Sequence, residues 1–405
     1  MKVLYFHQYF QTRNSAGGTR SYEFSKRFVD SGNKVTIVCA RNSSEDLSLN
    51  DYVGRGYRRG IVDGIDVIQI DLFSSNKSDF FHRTIVFIRF AFRSVLFAFS
   101  EEYDILLATS TPLTIGVPGI ILKFFKPRKK FVFEVRDLWP ELPKAMGVIK
   151  NPILLWLMKR LEVMTYKSAD ACIGLSPGII EGIARYGVPR NKIALIPNAC
   201  DLDLFSAGKQ DKSIIPGCDS NSFIAIFTGA HGLANGLDYV LDAAKCLKEA
   251  NADRIRIVLI GDGSQKQRLI DRANQSGLDN CIFLDPVPKL RLAKILKAAD
   301  AGMMILADVP AFSYGTSPNK FFDYIACGLP VIVNHYGWVA DLLKQNYCGF
   351  AVDPKRPQDF AGRLIELSLN AKLCLEFGLN SRALAEREFS RDDLTNKWID
   401  FIEKV

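Results

Sequence analysis

Short apolar runs rich in Val, Ile, Leu and Phe recur along this chain, and most are separated by longer stretches with helical spacing. Strands covered on both faces read as unbroken apolar strings, so strand and helix in alternation predict parallel sheets wrapped by helices. In the first half the expected strands are Val3–Phe6, Val35–Cys39, Ile65–Ile70, Ile105–Ala108, Phe131–Val135, Ala171–Gly174 and Ile193–Ile196. The second half repeats the scheme with Phe223–Phe227, Ile255–Ile260, Ile282–Leu284, Gly302–Ile305, Val331–Val333 and Gly349–Val352. Between the halves, Asp201–Ser222 is rich in Asp, Ser, Gly and Lys and has no period, which marks a linker. The expected fold is α/β, with doubly wound Rossmann-like domains over 1–200 and 223–389 joined by 201–222. Residues after about 356 read as helices, and the last, about 390–405, is expected to return to the N-terminal domain. Where two such domains face each other, the C-terminal ends of both sets of strands border one crevice, and the chemistry is expected there.

A length of 405 residues with 48% hydrophobic content agrees with two sizeable cores. Charge sharpens the picture: residues 1–200 hold 28 Lys and Arg against 18 Asp and Glu, a balance of +10, while the remainder hold 24 against 26, a balance of −2. The N-terminal half is thus expected to face something anionic. Its basic residues are interleaved with Phe, Ile and Leu, which favours the inner face of an anionic membrane over nucleic acid. Residues Phe80–Phe99 carry Arg83, Arg89 and Arg93, too many charges for a membrane span. At helical spacing His82, Arg89, Arg93 and Ser100 share a narrow face and leave a broad apolar one, so an interfacial helix is expected, with Lys126–Lys130 adding attraction to anionic lipid. Nine cysteines without a C-x-x-C spacing lie mostly in apolar runs and read as buried reduced thiols of a cytoplasmic protein. The N-terminus reads as a first strand, not a signal peptide.

The densest chemistry lies in Ser317–Val333. Ser317 suits an N-cap and Pro318 the first helical position, so free amides around Asn319, backed by the helix dipole and Lys320, are expected to receive a diphosphate. Asp323, one turn on, is an acceptor suited to ribose hydroxyls. After the first strand, Gly17-Gly18 lets backbone approach a ligand, and Arg20 is suited to bidentate bonds with an anionic group of the acceptor. After Phe131–Val135 come Arg136, Asp137 and Glu141, where Asp137 or Glu141 is expected to orient an acceptor hydroxyl or to stabilise positive charge developing on a sugar, with Arg136 as an internal partner. The second domain opens with Gly229, His231 and Asn235 in a glycine loop, followed by Gly261-Asp262 and by Val287, which offers an apolar face to a base. Neither a G-x-G-x-x-G fingerprint nor a Walker loop is present, which argues against a nicotinamide enzyme or an NTPase. Asp201-Leu202-Asp203 spells D-x-D, but with no further ligands near it in sequence a capped turn is the better reading, and no metal or other cofactor is expected.

Taken together, the Gly17-Gly18 loop, Ile196–Asp201, Thr228-Gly229, Gly261-Asp262-Gly263 and Lys320–Val333 resemble the family-4 retaining glycosyltransferases over nearly the whole chain. That resemblance implies the GT-B architecture, and it is nearest to bacterial enzymes that build O-antigen, capsule or lipopolysaccharide. It further implies a UDP-linked, N-acetylated hexose donor, a lipid-linked glycan acceptor, peripheral association with the inner membrane and front-face attack with retention. By the same resemblance Asp323 binds ribose, while Lys320 and His231 neutralise the leaving diphosphate. The family's paired glutamates are half present, because the first falls on Gly315. Two rivals share the architecture: a sugar-nucleotide 2-epimerase, and a non-catalytic homologue serving as a binding subunit.

Overall fold

The computed structural model describes residues 1–41, 46–49, 56–73, 80–208 and 210–405. Two sheets form the chain. The first contains β1 (Lys2–Phe6), β2 (Lys34–Arg41), β3 (Tyr57–Val62), β4 (Ile65–Phe73), β5 (Ile105–Thr109), β6 (Lys130–Val135), β7 (Ala171–Gly174) and β8 (Ile193–Leu195), in the order β3-β4-β2-β1-β5-β6-β7-β8. The second contains β9 (Phe223–Thr228), β10 (Ile255–Ile260), β11 (Cys281–Leu284), β12 (Ala301–Met304), β13 (Val331–Val333) and β14 (Gly349–Ala351), in the order β11-β10-β9-β12-β13-β14. All neighbours run parallel except β3 and β4. Every residue of β9 is buried, as its unbroken apolar string requires.

Strand β3 is the one the hydrophobic pattern did not announce. It is an edge strand, so its outer residues need not be apolar, and Arg59 on it pairs with Asp66 and Glu101. Asp63 and Gly64, with φ of 49° and 84°, turn β3 into β4 as a two-residue hairpin.

Strand order reverses at β1/β5 in the first sheet and at β9/β12 in the second, and each reversal opens a crevice at the strands' C-terminal ends. The two crevices face each other. Across them the Asn198 amide donates to Ser317 Oγ at 3.1 Å, Lys289 N to the Ser15 carbonyl at 3.2 Å, and Ser176 Oγ to the Tyr314 carbonyl at 3.0 Å. The last helix, Arg391–Glu403, lies on Arg20–Asp30, where the Trp398 ring meets Phe24 at 5.7 Å and Phe28 at 5.6 Å, both edge on. Its first residue, Arg391, is buried and donates to both Asp201 oxygens at 2.7 and 3.2 Å, so that carboxylate holds the domain junction. All nine cysteines are free thiols. Among the described residues, no helix is long and apolar enough to cross a membrane.

Candidate functional site

The helix Asn319–Ala326 fixes the centre of the crevice. Its inner face, from Phe321 to Ala326, is buried, and the Tyr324 hydroxyl accepts from Thr228 N at 2.8 Å, locking the helix to the end of β9. The residue before the first helical turn is Pro318, with an extended ψ of 126°, and Ser317 makes no cap. The Ser317 hydroxyl and carbonyl instead accept from the Asn198 backbone and side chain, so the serine fastens the domains together.

Lys320 projects from the first turn toward the glycine loop. Its ammonium donates to Asn235 Oδ1 at 2.9 Å and sits 3.8 Å from the Phe227 ring centroid. Burial lowers its pKa from the usual 10.5 to about 7, so the site holds a cation short of counter-charge. Gly229, at φ 137°, leaves room for it: a Cβ there would lie 3.3 Å from the Lys320 Nζ. From the other domain, Gly18 closes on the same turn. A Cβ on Gly18 would stand 2.8 Å from Asn319 Nδ2 and 3.7 Å from Arg136 Nη2, so a larger residue there would displace the Asn319 side chain. Gly17 lies against the Gln11 side chain.

Arg136 donates its backbone amide to Ser110 Oγ at 2.9 Å, and its Nη1 lies 3.2 Å from His7 Nε2. The other ring nitrogen of His7 is 2.6 Å from Ser21 Oγ. Burial, reinforced by Arg136, holds the His7 imidazole neutral and well below its ordinary pKa. Asp137 accepts from Thr111 Oγ1 at 3.2 Å, and burial raises its pKa against the pull of Arg136. Glu141 accepts from the Tyr314 hydroxyl at 3.2 Å and so bridges the cleft mouth.

Arg20 does not reach the crevice. It is 1% exposed, donates to Glu134 at 3.0 and 2.8 Å, and places two further N–H groups on the Pro197 and Ile196 carbonyls at 2.5 and 2.9 Å. With four of its five N–H groups taken by Glu134 and these two carbonyls, the buried guanidinium clamps the end of β8 against β6. Burial pushes the Glu134 carboxyl up, but Arg20 outweighs it and leaves the group below its ordinary value.

On the donor side, His231 is fully buried between Phe227 and Phe283, with ring centroids 6.1 and 6.2 Å away, and neither ring nitrogen has a hydrogen-bond partner. Burial lowers its pKa to about 4, so it is neutral at physiological pH. Asp262 receives the His231 amide on its carbonyl at 2.9 Å and the Gly263 amide on its carboxylate at 2.8 Å. Gly261 runs so close to Gly229 that a Cβ would sit 1.8 Å from the Gly229 carbonyl oxygen. Val287 is half-buried at the rim. Asp323 is 5% exposed, and both its oxygens accept from Lys289 Nζ, at 2.8 and 2.7 Å. Burial raises the Asp323 pKa, and Lys289 opposes it.

His7, Glu134 and Lys289 were not singled out from sequence. His7 had a usable signal, being the first polar residue after β1 at the switch point. Glu134 sits inside an apolar strand and Lys289 opens a helix that also carries Arg291 and Lys294, so only the fold shows which charges they meet.

The profile described as "Glycosyltransferase Family 4" matches residues 17–204, and that described as "Glycosyl transferases group 1" matches residues 209–384. The two meet at the junction between the sheets. The chain is a two-domain glycosyltransferase of the family-4 type. Its curated relatives include the alpha-galactosylglucosyldiacylglycerol synthase of Streptococcus pneumoniae, 22% identical over 65% of this chain and 69% of that protein. O-antigen chain mannosyltransferase C of Escherichia coli is 21% identical over 62% of this chain and 66% of that protein. Several other relatives are spanned over only about half their length, for example a D-inositol 3-phosphate glycosyltransferase of Paenarthrobacter aurescens, of which the match covers 46%. Among solved structures, the sucrose-phosphate synthase of Thermosynechococcus elongatus superposes with a TM-score of 0.77 at 14% identity, over 100% of this chain and 98% of that one. Anabaena HepE in complex with UDP does so with 0.72 at 18% identity, over 100% of both. At these identities the structures speak for the GT-B fold, two Rossmann-like domains around a cleft. In this glycosyltransferase the Arg391–Glu403 helix lies beyond both profiles and ties the C-terminal end of the chain back onto the first domain.

Proposed function

We propose that this chain transfers a hexose from a UDP-sugar to a lipid-linked glycan in the assembly of a bacterial surface polysaccharide. The observation that carries this reading is the Lys320 ammonium, desolvated and held by a neutral amide, at the turn where Gly18 and Gly229 bring both domains' backbones together. A diphosphate placed there meets the free amides of the Asn319–Ala326 helix, its dipole and Lys320 at once. HepE, of the same fold, is described as a UDP complex, which supports UDP as the nucleotide. The expected donor sugar is an N-acetylated hexose.

In this reading the acceptor hydroxyl enters on the face from which the diphosphate leaves and gives its proton to a phosphate oxygen, so configuration is retained and no protein nucleophile is used. Lys320 and the neutral His231 stabilise the departing charge, while Asp137, Arg136 and Glu141 orient the acceptor. Metal independence belongs to the same proposal. It is supported by Asp201, whose carboxylate is taken by Arg391. UDP is expected to raise the melting temperature with or without EDTA, since a ligand that binds the native state alone stabilises it. UDP-sugar is expected to be consumed only when acceptor is supplied. Conversion of the sugar without acceptor would establish the epimerase instead, and failure of every UDP-sugar to turn over would leave only a binding role.

A lipid-borne acceptor also fits the outer face of the first domain. On the Phe80–Ser100 helix Phe81, Phe92 and Leu96 are 74%, 64% and 69% exposed, and on the neighbouring Val117–Phe125 helix Phe124 and Phe125 are 80% and 67% exposed. Lys126 reaches over Phe99 at 4.9 Å, and Arg128, Lys129 and Lys130 follow it. Apolar side chains beside basic ones suit the cytoplasmic surface of an anionic bilayer. Phe92→Glu combined with Phe125→Glu is expected to weaken sedimentation with phosphatidylglycerol vesicles at least about ten-fold, each lost phenyl being worth roughly 1.5–3 kcal/mol when buried. Unchanged sedimentation would rule this face out.

A further inference from the structure

A second buried histidine, His335, is assigned by neither family resemblance nor sequence motif. It follows β13 at that strand's C-terminal end, is 6% exposed, and has no hydrogen-bond partner at either ring nitrogen. More than nine in ten buried polar groups in folded proteins are paired, so an imidazole with both nitrogens idle and buried is unusual. The charge that reaches it is that of Lys320, and burial together with that charge lowers its pKa to about 4, so it is a neutral ring able to donate at one nitrogen and accept at the other.

The loop that carries His335 is held rigidly. The neighbouring Asn334 side chain accepts from Leu306 N at 2.9 Å and donates to the Leu306 carbonyl at 2.8 Å. Ala307 N in turn donates to the Ala234 carbonyl at 2.9 Å, beside the Asn235 that receives Lys320. On the other side Gly337, at φ 106°, lies so near Ser313 that a Cβ would be 1.6 Å from the serine carbonyl. His335 is therefore fixed relative to the diphosphate-binding lysine through a short chain of direct bonds.

A diphosphate wants cations and amide donors, and Lys320 with the helix turn supplies them. A sugar hydroxyl, which both donates and accepts, is better matched by a neutral imidazole. We propose that His335 binds a hydroxyl of the transferred sugar and sets which UDP-sugar this enzyme accepts. The inference rests on the UDP-sugar reading above and extends it to a residue that contacts the hexose, not the nucleotide.

Calorimetric affinities for UDP and for a panel of UDP-hexoses, measured on the full chain and on His335→Ala and His335→Asn, separate the possibilities. For the preferred UDP-sugar, His335→Ala is expected to lose about ten-fold in affinity while UDP itself binds as before, and His335→Asn, which keeps a donor and an acceptor, is expected to recover part of the loss. Equal loss for UDP and UDP-sugar would overturn the proposal in favour of a phosphate contact or a structural role, and no loss for either would overturn it outright. If the wild type binds UDP but no UDP-sugar more tightly, the sugar subsite is absent and this inference fails alone. If it binds neither, the transferase reading falls and this one with it.

Discussion

Lys320→Ala is expected to abolish most of the thermal stabilisation by UDP and to lower kcat by about 10²–10³, the range typical for removing one preorganised group that meets developing charge. The reason lies in what surrounds the ammonium: a phenyl ring, one amide oxygen and the Gly229 backbone, with no carboxylate among the described residues bonded to it. Such a cation is neutralised by ligand, not by protein, so its contribution is kept for the state in which the diphosphate departs. The same environment makes binding depend on pH. In the free enzyme Lys320 titrates near 7, and a bound diphosphate is expected to return it toward its ordinary 10.5. Above pH 7 binding must then take up a proton, and UDP affinity is expected to fall about ten-fold per pH unit until the bound-state pKa is reached. His231 and His335 do not interfere, because both have lost their protons well below this window, near 4. Lys320→Arg keeps its charge throughout and is expected to flatten the profile, whatever it does to absolute affinity. Titration calorimetry in buffers of different ionisation enthalpy measures the proton directly. A pH-independent UDP affinity in the wild type would refute the account.

Folding carries the opposite sign for this residue. The unfolded chain holds the Lys320 proton up to about 10.5 and the folded one only to about 7, so this group makes the native state more stable as pH rises through that interval. UDP counteracts the cost at lower pH, which couples ligand binding to stability at a single side chain.

Most strands were legible because those of a doubly wound sheet are covered on both faces and announce themselves as apolar strings, as β9 and β10 do. β3 was not, because an antiparallel edge strand bearing Arg58 and Arg59 has a solvent side and follows no such rule. Within the site, glycine positions were the most readable element. Gly18 and Gly229 stand where a Cβ would crowd the opposing side chains, a constraint local enough to show in a loop's composition. Charged residues were the least readable. Arg20, Arg136 and Lys289 look alike in sequence, yet one is locked to Glu134 in the interior, one faces the cleft beside His7, and one neutralises Asp323. Which carboxylate a cation meets is decided by contacts 34 or 114 positions away along the chain, and no local pattern encodes them.

Lys289→Met is expected to cost about 3–5 kcal/mol of stability, the usual consequence of leaving one member of a buried ion pair without the other. Asp323 then remains 5% exposed without its bonded ammonium, with only the coulombic pull of Arg391 opposing burial and Asp201. Its pKa, already raised by burial, rises further once the opposing ammonium is gone. The folded state of the variant therefore holds the proton more tightly than the unfolded state. Its instability is expected to be smallest below the unfolded aspartate value of about 4 and to grow as pH rises above it. Denaturant melts of the variant at several pH values measure this. Lys289→Met combined with Asp323→Leu removes both charges and is expected to regain most of the stability, since apolar replacement of a buried pair is often neutral. That double variant also separates two roles for Asp323. A carboxylate whose two oxygens each accept one bond from Lys289 still has lone pairs for ribose hydroxyls. If Asp323 uses them, the restored protein binds UDP about ten-fold more weakly than the wild type and no longer prefers UDP over 2′-deoxy-UDP. Should it bind both as the wild type does, Asp323 serves the fold through Lys289 and the ribose is held by other groups.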